Sequence, residues 1–589
     1  MRIRHLHIEN FRGIKSLDWL IPPDKKFVCL IGPGDSGKSS ILDALYWTLG
    51  ERWSLSITDT DYFGGDFENS ITIRVVLSDL PTEIRSHWQL GLNLSGINQT
   101  GEMAHDPIDG FEPCVVVQLT IDKEMEPTWS LYRPDGTEPW ETISSGTRRL
   151  FSIFKIDDRV DNHLRWTRTS ALTKLSDSNR NMSETLANAL RAAQDAVSEV
   201  IPSSMNTLAA DIGTQLGKIG SGTFPNLKPG LDISGSASSG ILALFDGDIP
   251  LTNFGLGTRR LAAIATQEMA AAGKSVILVD EIEYGLEPHR LVHLLKHLRS
   301  EARHEQVFVT THSAIAIEQL DSADLAVIAL VDGAMSAQFV PHDLDFAQAT
   351  LRGSPSAFLA KKIIVTEGKT EIGLLIGLIE SWDALASENG TATSSALGVA
   401  IADGKGSNAP SRAIVLSKLG YDVSLFVDND NRTMDSEITE ANSHSVMVFR
   451  WDEGKCTESQ LIETLDAQNL TDLLRLACNT RGDFATVKSD LLNFSLEGPR
   501  IPDLQVGNWL IDANFTIHSA RTLISNAARK SKWFKDIGYG ILLSQFVLER
   551  YEQLSVEPFG VELNRLREYL YATDTRPPVQ RNNVSGENF

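Results

Sequence analysis

Cysteine is scarce in this chain: Cys29, Cys114, Cys456 and Cys478 are the only four among 589 residues. They lie too far apart for a close-spaced metal cluster or a disulfide framework, which points to a reducing compartment. Long apolar runs are missing as well. No stretch approaches the 18 or so residues of a membrane span, and the opening Met-Arg-Ile-Arg-His has no apolar signal segment. The expectation is a cytoplasmic protein with no membrane partner. Positive charge is in deficit, with 54 Lys and Arg against 77 Asp and Glu and a net charge of -23. That balance disfavours a whole-surface grip on nucleic acid, while a local cationic groove stays compatible with it. The surplus carboxylates are what metal sites draw on. Gly (43) and Pro (22) are near ordinary usage, which excludes collagen-like and mostly disordered chains. Apolar residues, at 42%, suffice for more than one buried core. At about 150 residues per domain, the length suggests roughly four domain-sized units.

Residues 26–31 read as a buried strand. Gly32-Pro33-Gly34-Asp35-Ser36-Gly37-Lys38-Ser39 follows at once and fits the complete G-x-x-x-x-G-K-S pattern. Ser40 to Leu49 then reads as a helix. Strand, glycine loop and helix form the context in which backbone amides and a helix N-terminus receive phosphate oxygens. Gly32, Gly34, Gly37, Lys38, Ser39 and Ser40 form the expected cofactor-binding set for ATP. Lys38 reaches the β/γ phosphates, and Ser39 is the magnesium ligand.

The matching acidic element lies far downstream. Ser275 to Val279 is an apolar strand ending in Asp280 and Glu281. Asp280 is suited to hold Mg2+ through water, and Glu281 to polarise the attacking water. A further strand ends in His312, placed to sense the γ-phosphate. Between loop and acids lie strand candidates at 71–78 and 114–120. Leu186, Leu190, Ala193 and Val197 give 183–216 a helical spacing, read as an inserted arm. The Gly-, Ser- and Pro-rich stretch 218–240 reads as loop. Phe254 to Arg260 precedes a helical run from Leu261 to Ala272, and its Gly257 is a candidate for touching a phosphate held by another subunit.

The C-terminal half repeats the theme of acids at strand ends. Residues 361–366 form a strand that ends in Glu367, with Glu371 one turn into the next helix. A strand from Val423 ends in Asp428 and Asp430, and a third, Ser445 to Phe449, leads to Glu458. Glu367, Glu371, Asp428, Asp430 and Glu458 are the expected ligands of Mg2+ or Mn2+, and two such ions would activate water and stabilise the leaving oxygen of a phosphodiester. Asp403, in a Gly-rich loop, is either a supporting carboxylate or a plain loop residue. Lys535, with Lys532 as its rival, would supply a cation beside the scissile phosphate.

On these residues the chain resembles two families in series. Its first half is similar to ABC-type ATPases of the SMC and RecF group: Asn10-Phe11-Arg12-Gly13 looks like their N-terminal element, Gly255 to Arg260 like a diverged signature motif, and Glu287-Pro288-His289 like their D-loop. The resemblance implies that Arg12 lies near the nucleotide and that two copies sandwich ATP, as a homodimer or higher even-numbered oligomer. The expected glutamine of the Q-loop has only weak candidates, Gln118 and Asp61. The second half resembles a Toprim domain. The fold class expected is therefore α/β: a P-loop ATPase with a helical dimerisation insertion, followed by a Toprim domain. The boundaries expected are 1–150 and 246–350 for the ATPase, 151–245 for the insertion, 351–555 for the Toprim domain, and 556–589 for an extension with a polar tail. In that order the pieces look like the OLD (overcoming lysogenisation defect) family of nucleases. This implies an ATP-regulated DNA endonuclease or nickase of prokaryotic or phage origin with a role in antiviral defence. Depending on the branch, it stands alone or partners a reverse transcriptase with retron msDNA, or a helicase. The alternatives are a nonnucleolytic SMC/RecF-like DNA repair ATPase and a Toprim primase or topoisomerase.

Overall fold

The computed structural model describes all residues except 53, 135, 137–139, 157–160, 162–163, 167–169, 171, 173–174, 176–202, 220–225, 233–240, 271–274, 302–303, 342–345, 495–500, 502, 512–514 and 574–589. The chain divides into two compact units, one formed by Met1–Val340 and the other beginning at Pro341.

The first unit is organised by a 14-stranded sheet. Its parallel part runs Ile153–Ile156, Ser275–Val279, His304–Thr310, Phe27–Ile31 and Leu325–Val331. Phe27–Ile31 and Ser275–Val279 are buried at every position. Such continuous apolar runs suit central parallel strands covered on both faces. The rest of the sheet includes the antiparallel pairs of Arg2–Phe11 with Ile14–Leu20 and Ile71–Ser78, and of Ile71–Ser78 with Glu112–Ile121. Helix Lys38–Leu49 buries Ile41, Leu42, Ala44 and Leu45 in the same core.

The arm expected at 183–216 falls largely outside the described residues. Its described end is helix Ser203–Ile219. The loop expected over 218–240 is corrected: Leu227–Asp232 is a strand, antiparallel to Ile241–Asp246 in a three-stranded sheet. Its glycine and proline masked the signal. Pro229 is tolerated there because the strand lies at the edge of its sheet. The polar tail expected near 582–588 lies outside the described residues.

The second unit holds a four-stranded sheet in the order Val399–Asp403, Lys362–Thr366, Asp422–Val427 and Met447–Arg450, parallel throughout. Lys362–Thr366 is central and wholly buried. Helix Lys369–Glu388 crosses helix Ile537–Leu548 at glycines. A Cβ on Gly373 would lie 2.2 Å from the Ile537 carbonyl oxygen, and one on Gly540 would lie 2.7 Å from that of Thr370. The Thr370 hydroxyl also donates to the Phe534 carbonyl (3.0 Å). This close approach brings the turn that bears Lys535 to the first turn of the helix that carries Glu371. All four cysteines are free thiols. Among the described residues no helix is long and apolar enough to cross a membrane.

Candidate functional site

The glycine loop sits between the strand Phe27–Ile31 and helix Lys38–Leu49. Gly32 has φ of 142°, and a Cβ there would lie 2.5 Å from the Ile328 carbonyl oxygen, so the turn requires glycine. Lys38 is buried and donates to the carbonyls of Gly32 (3.1 Å) and Pro33 (2.7 Å) and to Ser36 Oγ (3.2 Å). Burial pulls its ammonium down to about 8.

The acidic strand end lies against this loop. Ser39 Oγ donates to Asp280 Oδ1 at 2.9 Å, and Thr310 Oγ1 donates to the same oxygen at 2.7 Å. Glu281 has a positive φ of 45°, and its amide donates to Thr310 Oγ1 at 2.7 Å. His312 is held through its backbone: its amide donates to Glu283 Oε1 (2.5 Å), while Thr311 Oγ1 donates to Glu283 Oε2 (2.7 Å). The pieces expected from distant segments thus meet: Lys38 and Ser39 with Asp280, and Glu281 with the strand end that leads to His312. Arg12 pairs with Asp43 (2.5 Å) and Asp61 (3.0 Å) and stacks on Phe11 and Trp47.

The signature-like segment starts helix Leu256–Ala270. Gly257 packs on the turn after Glu281, where a Cβ would lie 2.4 Å from the Gly285 carbonyl oxygen. Arg260 donates to the carbonyls of Asp280 (2.5 Å), Glu281 (2.8 Å) and Tyr284 (3.3 Å). It braces the acidic turn from within one chain. Of the Q-loop candidates, Gln118 is tied to Arg74 and Thr120 within the sheet, and Asp61 is tied to Arg12.

In the second unit the acids gather at the C-terminal ends of the parallel strands, where ligands bind in open α/β sheets. The Asp428 amide donates to Glu367 Oε2 (3.0 Å), and the Thr457 amide to Asp428 Oδ1 (2.9 Å). Thr457 Oγ1 lies 2.9 Å from Glu371 Oε1 and 3.2 Å from Asp428 Oδ1, and accepts from Trp451 Nε1. Glu371, Asp428 and Glu458 are 2%, 3% and 2% exposed, and Glu458 Oε1 has no hydrogen-bond partner among the described residues. Burial raises the Asp428 carboxyl well above the usual range, reinforced by the charges of Glu371, Glu458 and Glu367. Glu367 is raised by burial and by Glu371 and Asp430. Glu458 is raised by burial and by Glu371. Burial pulls the Lys535 ammonium down, but Glu458, Glu371, Asp428 and Glu367 together carry it above its usual value. Lys535 lowers Asp428, Glu367 and Glu458 in turn.

Among the described residues, no group of three or more His, Cys, Asp or Glu side chains is arranged to hold a metal ion. Asp430 turns to Arg529 (2.9 Å), and Glu367 spends an oxygen on the Asp428 amide. Asp403 is likewise occupied, accepting from the Lys405 amide (2.9 Å) and pairing with its ammonium (2.5 Å). Sequence reasoning gave no role to Thr310 or Asp43, and it took Arg260 only as the end of the signature-like segment. Glu283 carried a signal, as the second glutamate after Asp280.

Residues 27–318 match the family model described as "AAA domain, putative AbiEii toxin, Type IV TA system". The match ends before the second unit begins. Over 100 residues the chain is 34% identical to the DNA replication and repair protein RecF of Mannheimia succiniciproducens, covering 16% of this chain and 24% of that protein. Over 47 residues it is 45% identical to structural maintenance of chromosomes protein 1B of Mus musculus, covering 8% and 4%. The chain thus spans about a quarter or less of the length of these curated relatives. Among solved structures, an SMC head bound to the C-terminal winged-helix domain of ScpA aligns at a TM-score of 0.37 and 16% identity, over 58% of this chain and 98% of that one. The SMC head domain from Thermotoga maritima aligns at 0.30 and 14%, over 58% and 100%.

Proposed function

We propose that this chain, an ABC-type P-loop ATPase related to the RecF and SMC proteins, acts on DNA under the control of ATP and carries a phosphodiester-cleaving site in its second unit. The observation that carries the cleaving half is the buried set Glu371, Asp428 and Glu458 with Glu367 at the parallel strand ends. These acids raise one another's proton affinity and leave Glu458 Oε1 without a partner among the described residues. A buried carboxylate oxygen with nothing to bind fits a divalent cation of the hard-oxygen class. Glu367, Glu371, Asp428 and Glu458 would hold it, and Lys535 would face the phosphate. The ion would supply charge for the attacking and leaving oxygens. The parallel sheet with acids on adjacent strand ends supports the Toprim reading, and the OLD-type order of units follows from it.

In the first unit, Lys38 would receive the phosphates, Ser39 and Asp280 would hold Mg2+, and Glu281 and His312 would serve the attacking water and γ-phosphate. Gly255 to Arg260 would complete a second copy's site, which makes an even-numbered oligomer part of the proposal. Neither a reverse transcriptase with retron msDNA nor a helicase is part of it.

The second reading is a noncleaving ATPase that binds or repairs DNA. The comparisons support it better than they support cleavage, because their printed names concern DNA replication, repair and chromosome maintenance, and the family match ends before the acids. Plasmid nicking with Mg2+ or Mn2+, with and without ATP, separates the two. Nicking by wild-type protein favours the first. ATP-dependent DNA binding with intact DNA throughout favours the second.

A further inference from the structure

Four charged side chains form a row through the first unit: Arg12, Asp43, Lys155 and Asp280. Lys155 lies on the strand Ile153–Ile156, opposite Leu278 of the strand that ends in the acids. The Asp280 amide donates to the Ile156 carbonyl at 3.0 Å, which fixes the two strand ends together. The Lys155 side chain is 8% exposed; its Nζ lies 2.6 Å from Asp43 Oδ1 and 4.0 Å from Asp280 Oδ2. The other oxygen of Asp43 takes Arg12 Nη1 at 2.5 Å. Asp280 Oδ1 is already engaged by Ser39 and Thr310. Its Oδ2 faces the Lys155 ammonium.

A buried ammonium persists when carboxylates compensate it. This one is compensated by Asp43, which lies on the helix that follows the glycine loop. Burial opposes ionisation of Asp43, but Lys155 and Arg12 together hold its carboxyl below the usual range. Lys155 thus ties that helix to the acidic strand end.

We propose that Lys155 is a positioning residue for ATP hydrolysis: held by Asp43, its charge faces Asp280 Oδ2 from 4.0 Å and links Arg12 to the carboxylate that would hold the nucleotide's metal. This rests on the ATPase reading. Lys155→Met keeps the length and apolar stem but removes the charge, leaving Asp43 and Asp280 to repel each other. Lys155→Arg keeps the charge.

The experiment is steady-state ATP hydrolysis with Mg2+ for wild type, Lys38→Ala, Lys155→Met, Lys155→Arg and Asp43→Asn, with a melting curve on each preparation. For Lys155→Met we expect kcat to fall at least ~10-fold with the ATP KM within about threefold of wild type, and Lys155→Arg to recover most of the loss. Asp43→Asn, which releases the ammonium, falls in the same direction. A merely structural lysine would lower the melting temperature without this split between kcat and KM, and that result overturns the proposal. So does a kcat for Lys155→Met within about twofold of wild type, or an equal loss in Lys155→Arg. If Lys155→Met does not fold, Asp43→Asn decides by the same split. A wild type that never hydrolyses ATP overturns the ATPase reading along with this role. Hydrolysis that depends on Lys38 but not on Lys155 overturns this role alone.

Discussion

At the end of strand Ser275–Val279, Asp280 meets two hydroxyls and an ammonium, and Arg260 holds the carbonyls around it. At the ends of Lys362–Thr366 and Asp422–Val427, Glu367 and Asp428 meet Glu371 and Glu458, with Lys535 as the lysine whose charge reaches them all. Both places obey the same rule of α/β folds, acids at the carboxyl ends of parallel strands. The difference lies in compensation. The first site has its charges matched by the protein and is shaped around a ligand that brings its own negative phosphates. The second has carboxylates in excess and is short of positive charge. On the proposed reading, a divalent cation would offset that deficit.

The largest effect that would break this contrast is at the glycine loop. Lys38→Ala removes the phosphate-facing cation and should lower ATP hydrolysis by ~100-fold or more. Glu281→Gln should slow turnover comparably while nucleotide still binds. Phosphate release and nucleotide binding, measured on both, check this; wild-type hydrolysis in the two variants would dissolve the ATP-site assignment.

A smaller effect sharpens the contrast through pH. Asp428, Glu367 and Glu458 have raised values, so the folded chain keeps protons that the unfolded chain releases above about pH 4. Their contribution to stability therefore falls as pH rises from the ordinary carboxylate range through the raised values. Asp43 is lowered by Lys155 and Arg12 against its burial, so its contribution is present above the ordinary value and lost as pH falls. Glu458→Gln should raise the melting temperature of the metal-free protein at pH 8 by a few degrees, at roughly 2–4 °C per kcal/mol. Mn2+ should stabilise wild type more than the variant. A lower melting temperature for Glu458→Gln, with no response of wild type to Mn2+, would show that the second site has no such deficit.

The smallest effect is in ATP binding. The Lys38 ammonium, pulled down to about 8 by burial, should regain its proton when phosphates arrive. ATP affinity should weaken as pH rises through about 8, with proton uptake on binding visible as a dependence of calorimetric heat on the buffer's ionisation enthalpy. No such dependence near pH 8.5 would mean that Lys38 stays charged throughout.

The contrast also explains what could be read before folding. Gly32 to Ser39, Asp280-Glu281, Glu367 and Asp428 were legible because each sits in a local pattern of strand then turn. Lys155, Thr310 and Arg260 were not, since each reaches the acids through pairing or packing of segments distant in sequence. Asp430 looked equivalent to Asp428, but Asp430 pairs with Arg529 while Asp428 is buried and takes the Thr457 amide. Lys535 was preferred over Lys532 without a local signal to secure the choice; the glycine crossing of Gly373 and Gly540 brings the Lys535 turn to the acids. The strand Leu227–Asp232 was hidden by its own Pro229 and Gly230 and by the Gly- and Ser-rich residues around it, which serve edges and turns alike.

We propose that the residues that cut DNA in the second site are separable from those that turn over ATP in the first. This separation is tested most directly by measuring plasmid cleavage and ATP hydrolysis on the same preparations of wild type and Asp428→Ala, with Mg2+ and with Mn2+. The account predicts that wild type nicks the plasmid, and that Asp428→Ala loses ~100-fold or more of that activity while its ATP hydrolysis stays near wild type. Intact plasmid with wild-type protein under both metals, alongside normal ATP hydrolysis, would contradict it and leave the noncleaving ATPase.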